Sequence, residues 1–176
     1  SILPECPAIE QIIVVNKDER DAEGLEEGDL NYEELMAKAP DKFAIVNTSQ
    51  NDYSIMHYTS GTTGKPKGAV HRHQAVVQQY ATGKWALDLH PEDIYFCTAD
   101  PGWVTGTSYG MLAPWTNGVT QLIYEGGFSA RRWYELIEKY KVTVFYTAPT
   151  AIRMLMRAGE SAYESVDFSN LRFVAS

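Results

Sequence analysis

Hydrophobic positions along this chain gather into short runs separated by longer amphipathic stretches. Beyond residue 52 the runs fall at Tyr53 to Tyr58, Ile94 to Thr98, Val119 to Tyr124, Val142 to Tyr146 and Leu171 to Ala175. Each is brief and rich in β-branched and aromatic side chains, which predicts strands rather than helices. The stretches between them read as helices. In the clearest, Ser129 to Tyr140, apolar Trp133, Ile137 and Tyr140 recur at i, i+4 and i+7 among charged residues. Strands alternating with helices predict an α/β fold, a mostly parallel sheet with helices on both faces, and ligands in such folds collect at the carboxyl ends of strands.

Residues 1–52 follow another pattern. Ile12 to Val15 predicts one strand, and from Lys17 to Glu34 nine acidic residues face only Lys17 and Arg20. That stretch reads as a solvated loop leading into a short helix. The chain therefore divides at this level into a lead-in segment, 1–52, and an α/β segment, 53–176.

Composition adds exclusions. The 176 residues are 44% hydrophobic and 22% charged, which suits a globular chain with one core, and the formal net charge is −8. A nucleic-acid partner is not expected, because phosphate backbones demand basic patches. Cys6 and Cys97 stand far apart, without a Cys-x-x-Cys pair, and read as free thiols. His71 and His73 share a strand face at i, i+2 with no third ligand nearby, so no protein metal site is predicted. With neither a signal-like start nor an apolar run of roughly 20 residues, the expectation is a cytoplasmic protein without a membrane partner. The end, Leu171 to Ser176, reads as a buried strand with nothing after it. We therefore expect an interior piece of a longer protein, able to self-associate through exposed sheet edges.

The chemistry concentrates in Tyr58 to Gly68. Within it Gly61, Gly64 and Gly68 free the backbone, Thr59, Ser60, Thr62 and Thr63 supply hydroxyls, and Lys65 and Lys67 supply positive charge. Placed between a predicted strand and a predicted helix, such a loop suits a polyphosphate. It is not a Walker A loop: counting from Gly61 lands on Pro66, and from Gly64 on Ala69. Gly-x-Gly-x-x-Gly is absent as well.

The run from Tyr58 to Gly68 resembles the phosphate-binding signature of the adenylate-forming enzymes, which include acyl-CoA synthetases, luciferase and peptide-synthetase adenylation domains. The resemblance continues through Asp100 to Gly106 and Tyr146 to Ala151 and narrows to acetyl-CoA synthetases. It implies ATP with Mg²⁺ and CoA as substrates, and conversion of acetate to acyl-AMP and then acetyl-CoA. By that resemblance Thr59, Ser60, Gly61, Thr62, Thr63, Gly64, Lys65 and Lys67 hold the ATP phosphates, with Lys67 catalytic. Trp103, Val104 and Thr105 line the acyl pocket, and Thr105 and Ala148 lie on the CoA side. Asp100, at a strand end, would hold its loop by capping N–H groups. Thr107 stands where many acetyl-CoA synthetases carry His, and Pro101 where Val is more frequent. The resemblance also implies a further, C-terminal domain absent from this chain, so that the piece alone is inactive. Propionate or medium-chain synthetases and a non-catalytic phosphate-binding module remain as alternatives.

Overall fold

The computed structural model describes residues 5–15, 28–59 and 64–176. The chain forms two compact units, 1–47 and 48–176. In the first, β1 (Ile13–Val14) pairs in parallel with β2 (Leu30–Asn31), and α1 (Tyr32–Lys38) follows directly. The Asn31 side chain caps α1, accepting from the Glu33 and Glu34 amides at 2.8 and 3.2 Å. Glu34 and Lys38 pair one turn apart. Most of the acidic stretch, residues 16–27, lies outside the described residues.

The second unit opens with a correction. β3 (Tyr53–Thr59) is followed not by a helix but by β4 (Lys67–Arg72), which pairs with it antiparallel. The run is a β-hairpin, and α2 (Val76–Trp85) begins only after a 3₁₀ turn at His73–Ala75. The physical reason lies in the pairing. Lys67-Gly-Ala-Val-His-Arg72 satisfies its amides against β3 in the register Thr59 opposite Lys67 and His57 opposite Ala69. Ile55, His57 and His71 turn inward on one face while their neighbours stay exposed. A period of two is easily hidden when small residues such as Gly68 and Ala69 occupy it.

The remaining strands behave as predicted. β5 (Ile94–Cys97), β6 (Thr120–Leu122), β7 (Val144–Tyr146) and β8 (Phe173–Ala175) form a wholly parallel sheet in the order β6-β5-β7-β8. Between β5 and β6 the chain makes one helical run, α3 (Val104–Thr107), a π turn at Ser108–Leu112 and α4 (Ala113–Thr116). The carbonyl that Gly110 contributes to that π turn accepts from the Gln121 side chain. α5 (Ala130–Lys139) joins β6 to β7, and α6 (Pro149–Ala158) joins β7 to β8.

Both faces of the sheet are covered. On one, Phe96 and Phe145 pack against Trp133, Leu136 and Ile137 of α5 and Leu155 of α6. The rings of Phe96 and Trp133 meet edge to face at 6.2 Å, and Phe128 closes on Trp133 at 4.8 Å. On the other, Tyr95 and Val144 meet Leu87, Leu89 and Val119, with Tyr109 of the π turn packed alongside. Adjacent residues Tyr95 and Phe96 thus serve opposite faces, and each large side chain so buried contributes roughly 1.5–3 kcal/mol.

A polar clamp closes the amino ends of the strands. Asp93, 2% exposed, accepts from Arg172 Nε at 2.9 Å, from Thr143 Oγ1 at 2.7 Å and from the His90 amide at 2.8 Å. Arg172 also reaches Asp88 at 2.8 Å. The clamp joins the lead-ins of β5, β7 and β8. Burial alone would push the Asp93 carboxyl up; the bonds from Arg172, Thr143 and His90 outweigh it and hold the group below its ordinary value.

Candidate active site

The connections explain where a site can form. From β5 the chain leaves over the face carrying Tyr109 and goes to β6. From β7 it leaves over the opposite face, through α6, and goes to β8. The carboxyl ends of neighbours β5 and β7 therefore diverge, and such a reversal of strand order opens a crevice. A cleft of about 420 Å³ occupies it, bordered by Thr98, Asp100, Trp103, Thr105, Thr147 and Ala148. Its floor is tied by the hydroxyls of Thr98 and Thr147, 2.6 Å apart. Ala148 caps α6 with extended backbone, and Pro149 occupies the helix's first position, where a missing N–H costs nothing.

The loop after β5 is tightly wound. Asp100 Oδ1 accepts from the Gly102 amide at 2.7 Å, and the Asp100 carbonyl accepts from the Trp103 amide at 3.0 Å. This is the capping role expected of Asp100. Gly106 has to be glycine, because a Cβ there would overlap the Asp100 backbone. Thr107 completes the ring, its hydroxyl donating to the Pro101 carbonyl at 2.8 Å and its amide to Trp103 O at 2.9 Å. Trp103, left 74% exposed, is not a core residue. Its indole borders the 420 Å³ cleft together with Thr105.

A second cleft of about 650 Å³ brings the hairpin to this loop. One wall is Met56 to Thr59 of β3 and the other is Gly102, Trp103, Val104 and Thr105. Trp103 and Thr105 border both clefts, so they stand between the hairpin and Ala148. Of the expected phosphate-binding residues, Thr59 ends β3, Lys67 begins β4 opposite it, and Gly64 and Lys65 lie just before, all solvent-exposed. Gly64 adopts φ of +82°, which suits glycine. Ser60, Gly61, Thr62 and Thr63 lie outside the described residues. Neither Lys65 nor Lys67 is ion-paired among the described residues, so both ammonium groups face solvent.

The sequence reading missed several members. Thr98 and Thr147 are the first residues past β5 and β7, and the rule that sites follow strand ends would have found them. His57 had no such signal. Its Nε2 lies 3.1 Å from Thr107 Oγ1, fifty residues away in sequence. The Cys97 thiol and the Tyr146 hydroxyl, near the cleft, are pushed up chiefly by burial, so neither is poised as a nucleophile or base. Among the described residues no group of three His, Cys, Asp or Glu is arranged to hold a metal ion, and no helix is long and apolar enough to cross a membrane.

The sequence model of a family described as "AMP-binding enzyme" matches residues 1–176. The chain is 47% identical over 172 residues to the acetyl-coenzyme A synthetase of Bacillus subtilis (strain 168), covering 98% of this chain and 29% of that protein. It is 42% identical over 176 residues to the acetyl-coenzyme A synthetase of Methanothrix thermoacetophila, covering 97% and 27%. Among solved structures, the acyl-CoA synthetase of Brucella canis superimposes with a TM-score of 0.85 at 32% identity, covering 98% of this chain and 31% of that one. The chain thus spans only 27% to 29% of the length of these curated relatives.

Proposed function

This chain belongs to the AMP-binding enzyme family, and we propose that it supplies the phosphate-binding and acyl-binding walls of an enzyme that activates acetate with ATP and passes the acetyl group to CoA. The observation that carries the reading is the 650 Å³ cleft, whose two walls are the hairpin that holds the phosphate loop and the ring that presents Trp103, Val104 and Thr105. An anionic triphosphate and a small carboxylate, one on each wall, would meet there.

In this reading the loop from Thr59 to Lys67, including Ser60, Gly61, Thr62, Thr63, Gly64 and Lys65, binds the β- and γ-phosphates of MgATP through N–H groups, hydroxyls and ammonium charge. Mg²⁺ enters with the nucleotide, since phosphate-bound Mg²⁺ seldom needs an all-protein cage. A carboxylate oxygen, held between Trp103 and Val104, attacks the α-phosphorus. The bond from that phosphorus to the bridging oxygen breaks, and pyrophosphate leaves with its charge met by Lys67. The CoA thiolate, approaching past Thr105 and Ala148, then attacks the acyl carbon and releases AMP. Exposed indole and β-branched walls leave room for a short acyl chain, which favours acetate among carboxylates. The enzyme acts in the cytoplasm on small soluble substrates.

The test is acetate-dependent exchange of labelled pyrophosphate into ATP by the full-length protein and by its Lys67→Ala variant. Exchange that needs acetate and weakens in the variant is expected. Exchange without any carboxylate, or none with acetate, propionate or longer acids, would sink the reading and favour a phosphate-binding module.

A further inference from the structure

Trp103 poses a question of support. A side chain 74% exposed is not positioned by packing, so its place must come from the backbone that carries it. That backbone is the ring from Asp100 to Thr107, whose internal bonds join Gly102 and Trp103 to Asp100 and Thr107 to Pro101. Those bonds set the ring's own shape. They do not set its distance from β3, the opposite wall of the 650 Å³ cleft.

His57 spans that gap. It stands on β3 two residues before Thr59, one pleat from the phosphate loop, and its ring is half-buried. The Nε2 atom meets Thr107 Oγ1 at 3.1 Å. The threonine hydroxyl has one hydrogen, and the Pro101 carbonyl, at 2.8 Å, takes it, with Trp103 O more distant at 3.3 Å. The remaining lone pairs of Oγ1 therefore accept, so Nε2 of His57 carries the proton and donates. The ring cannot swing freely, for it meets His71 edge to face at 5.4 Å. Its Nδ1 is buried without a partner among the described residues, so the ring is oriented by the Thr107 bond at the cost of its other nitrogen.

We propose that His57 is a positioning residue that determines acyl-chain specificity: by donating to Thr107 it holds the ring carrying Trp103 at a set distance from the phosphate hairpin. His57 lines the 650 Å³ cleft, but its Nε2 is taken up by Thr107, and it acts on the acyl chain through that residue. The inference rests on reading the protein as a carboxylate-activating enzyme.

The test compares kcat/KM for acetate with that for butanoate in the full-length protein. That ratio does not change when part of a preparation is simply unfolded. His57→Leu removes the donor and is expected to lower the acetate-to-butanoate ratio about ten-fold, the scale of one lost hydrogen bond. His57→Gln, which offers an N–H at similar reach, should recover most of it. Thr107→Val, which also frees the Pro101 carbonyl, should lower the ratio at least as far as His57→Leu, Thr107→Ser should resemble the wild type, and adding His57→Leu to Thr107→Val should lower it no further. If His57→Leu fails to fold, His57→Asn, whose shorter amide does not reach Thr107, takes its place. An unchanged ratio in His57→Leu or Thr107→Val overturns the inference while leaving the enzyme reading intact, as does a Gln variant no better than Leu. A wild-type protein without carboxylate-dependent pyrophosphate exchange overturns the reading, and the inference with it.

Discussion

The four-stranded sheet and the hairpin beside it do opposite work. In the sheet, Tyr95, Phe96, Val144 and Phe145 are all but sealed from solvent between two helical layers. In the hairpin, Tyr53, Met56, Tyr58 and Val70 are exposed although the strands are longer. A parallel strand with both faces covered contributes burial, whereas a two-stranded ribbon with one open face contributes little stability but can present a loop. Stability and chemistry are thus divided between neighbouring elements, and they meet at the ring from Asp100 to Thr107.

That division can be tested from both sides. The largest effect is expected in the sheet: Phe145→Ala should cost about 3–5 kcal/mol in urea unfolding, because it leaves a cavity against Phe96 and Trp133. Next comes the clamp. Asp93→Asn should cost about 1–3 kcal/mol, since it weakens the charge-assisted bonds that the buried carboxylate accepts from Arg172, Thr143 and His90, while Arg172 keeps Asp88 as a partner. Because the folded carboxyl titrates below its ordinary value of 3.8, the wild type's advantage is full above that pH and is lost as pH falls through the depressed pKa. Unfolding free energies of wild type and Asp93→Asn, measured from neutral pH downward, should therefore converge in acid. An advantage that grew with acidification would refute the assignment.

The hairpin should answer differently. Lys67→Ala is expected to lower the rate of adenylation about 100-fold, the scale for one removed charge stabiliser, with the melting temperature unchanged because the side chain is exposed. A variant that lost stability instead would place Lys67 in the sheet's half of the comparison. The smallest effect lies at the junction. Trp103→Ala should shift preference from acetate toward longer acids by about ten-fold, again without loss of stability, as read from kcat/KM across a carboxylate series.

What the sequence by itself determined was every strand of the four-stranded sheet, the amphipathic helix α5, and the chemical character of the loop after Tyr58. These rest on local patterns: a short apolar run or a 3.6-residue period is complete within a few residues. Tertiary structure alone decided that Lys67 to Arg72 pairs back on β3, since the small residues of that segment carry no strong period and their amides are satisfied only by a partner strand. It alone decided that Trp103 stands in solvent between two clefts rather than in the core, for an indole after a strand reads equally well either way. And it alone brought His57 to Thr107, because a hydrogen bond between residues fifty apart is written in no spacing and exists only once the hairpin and the ring are folded side by side.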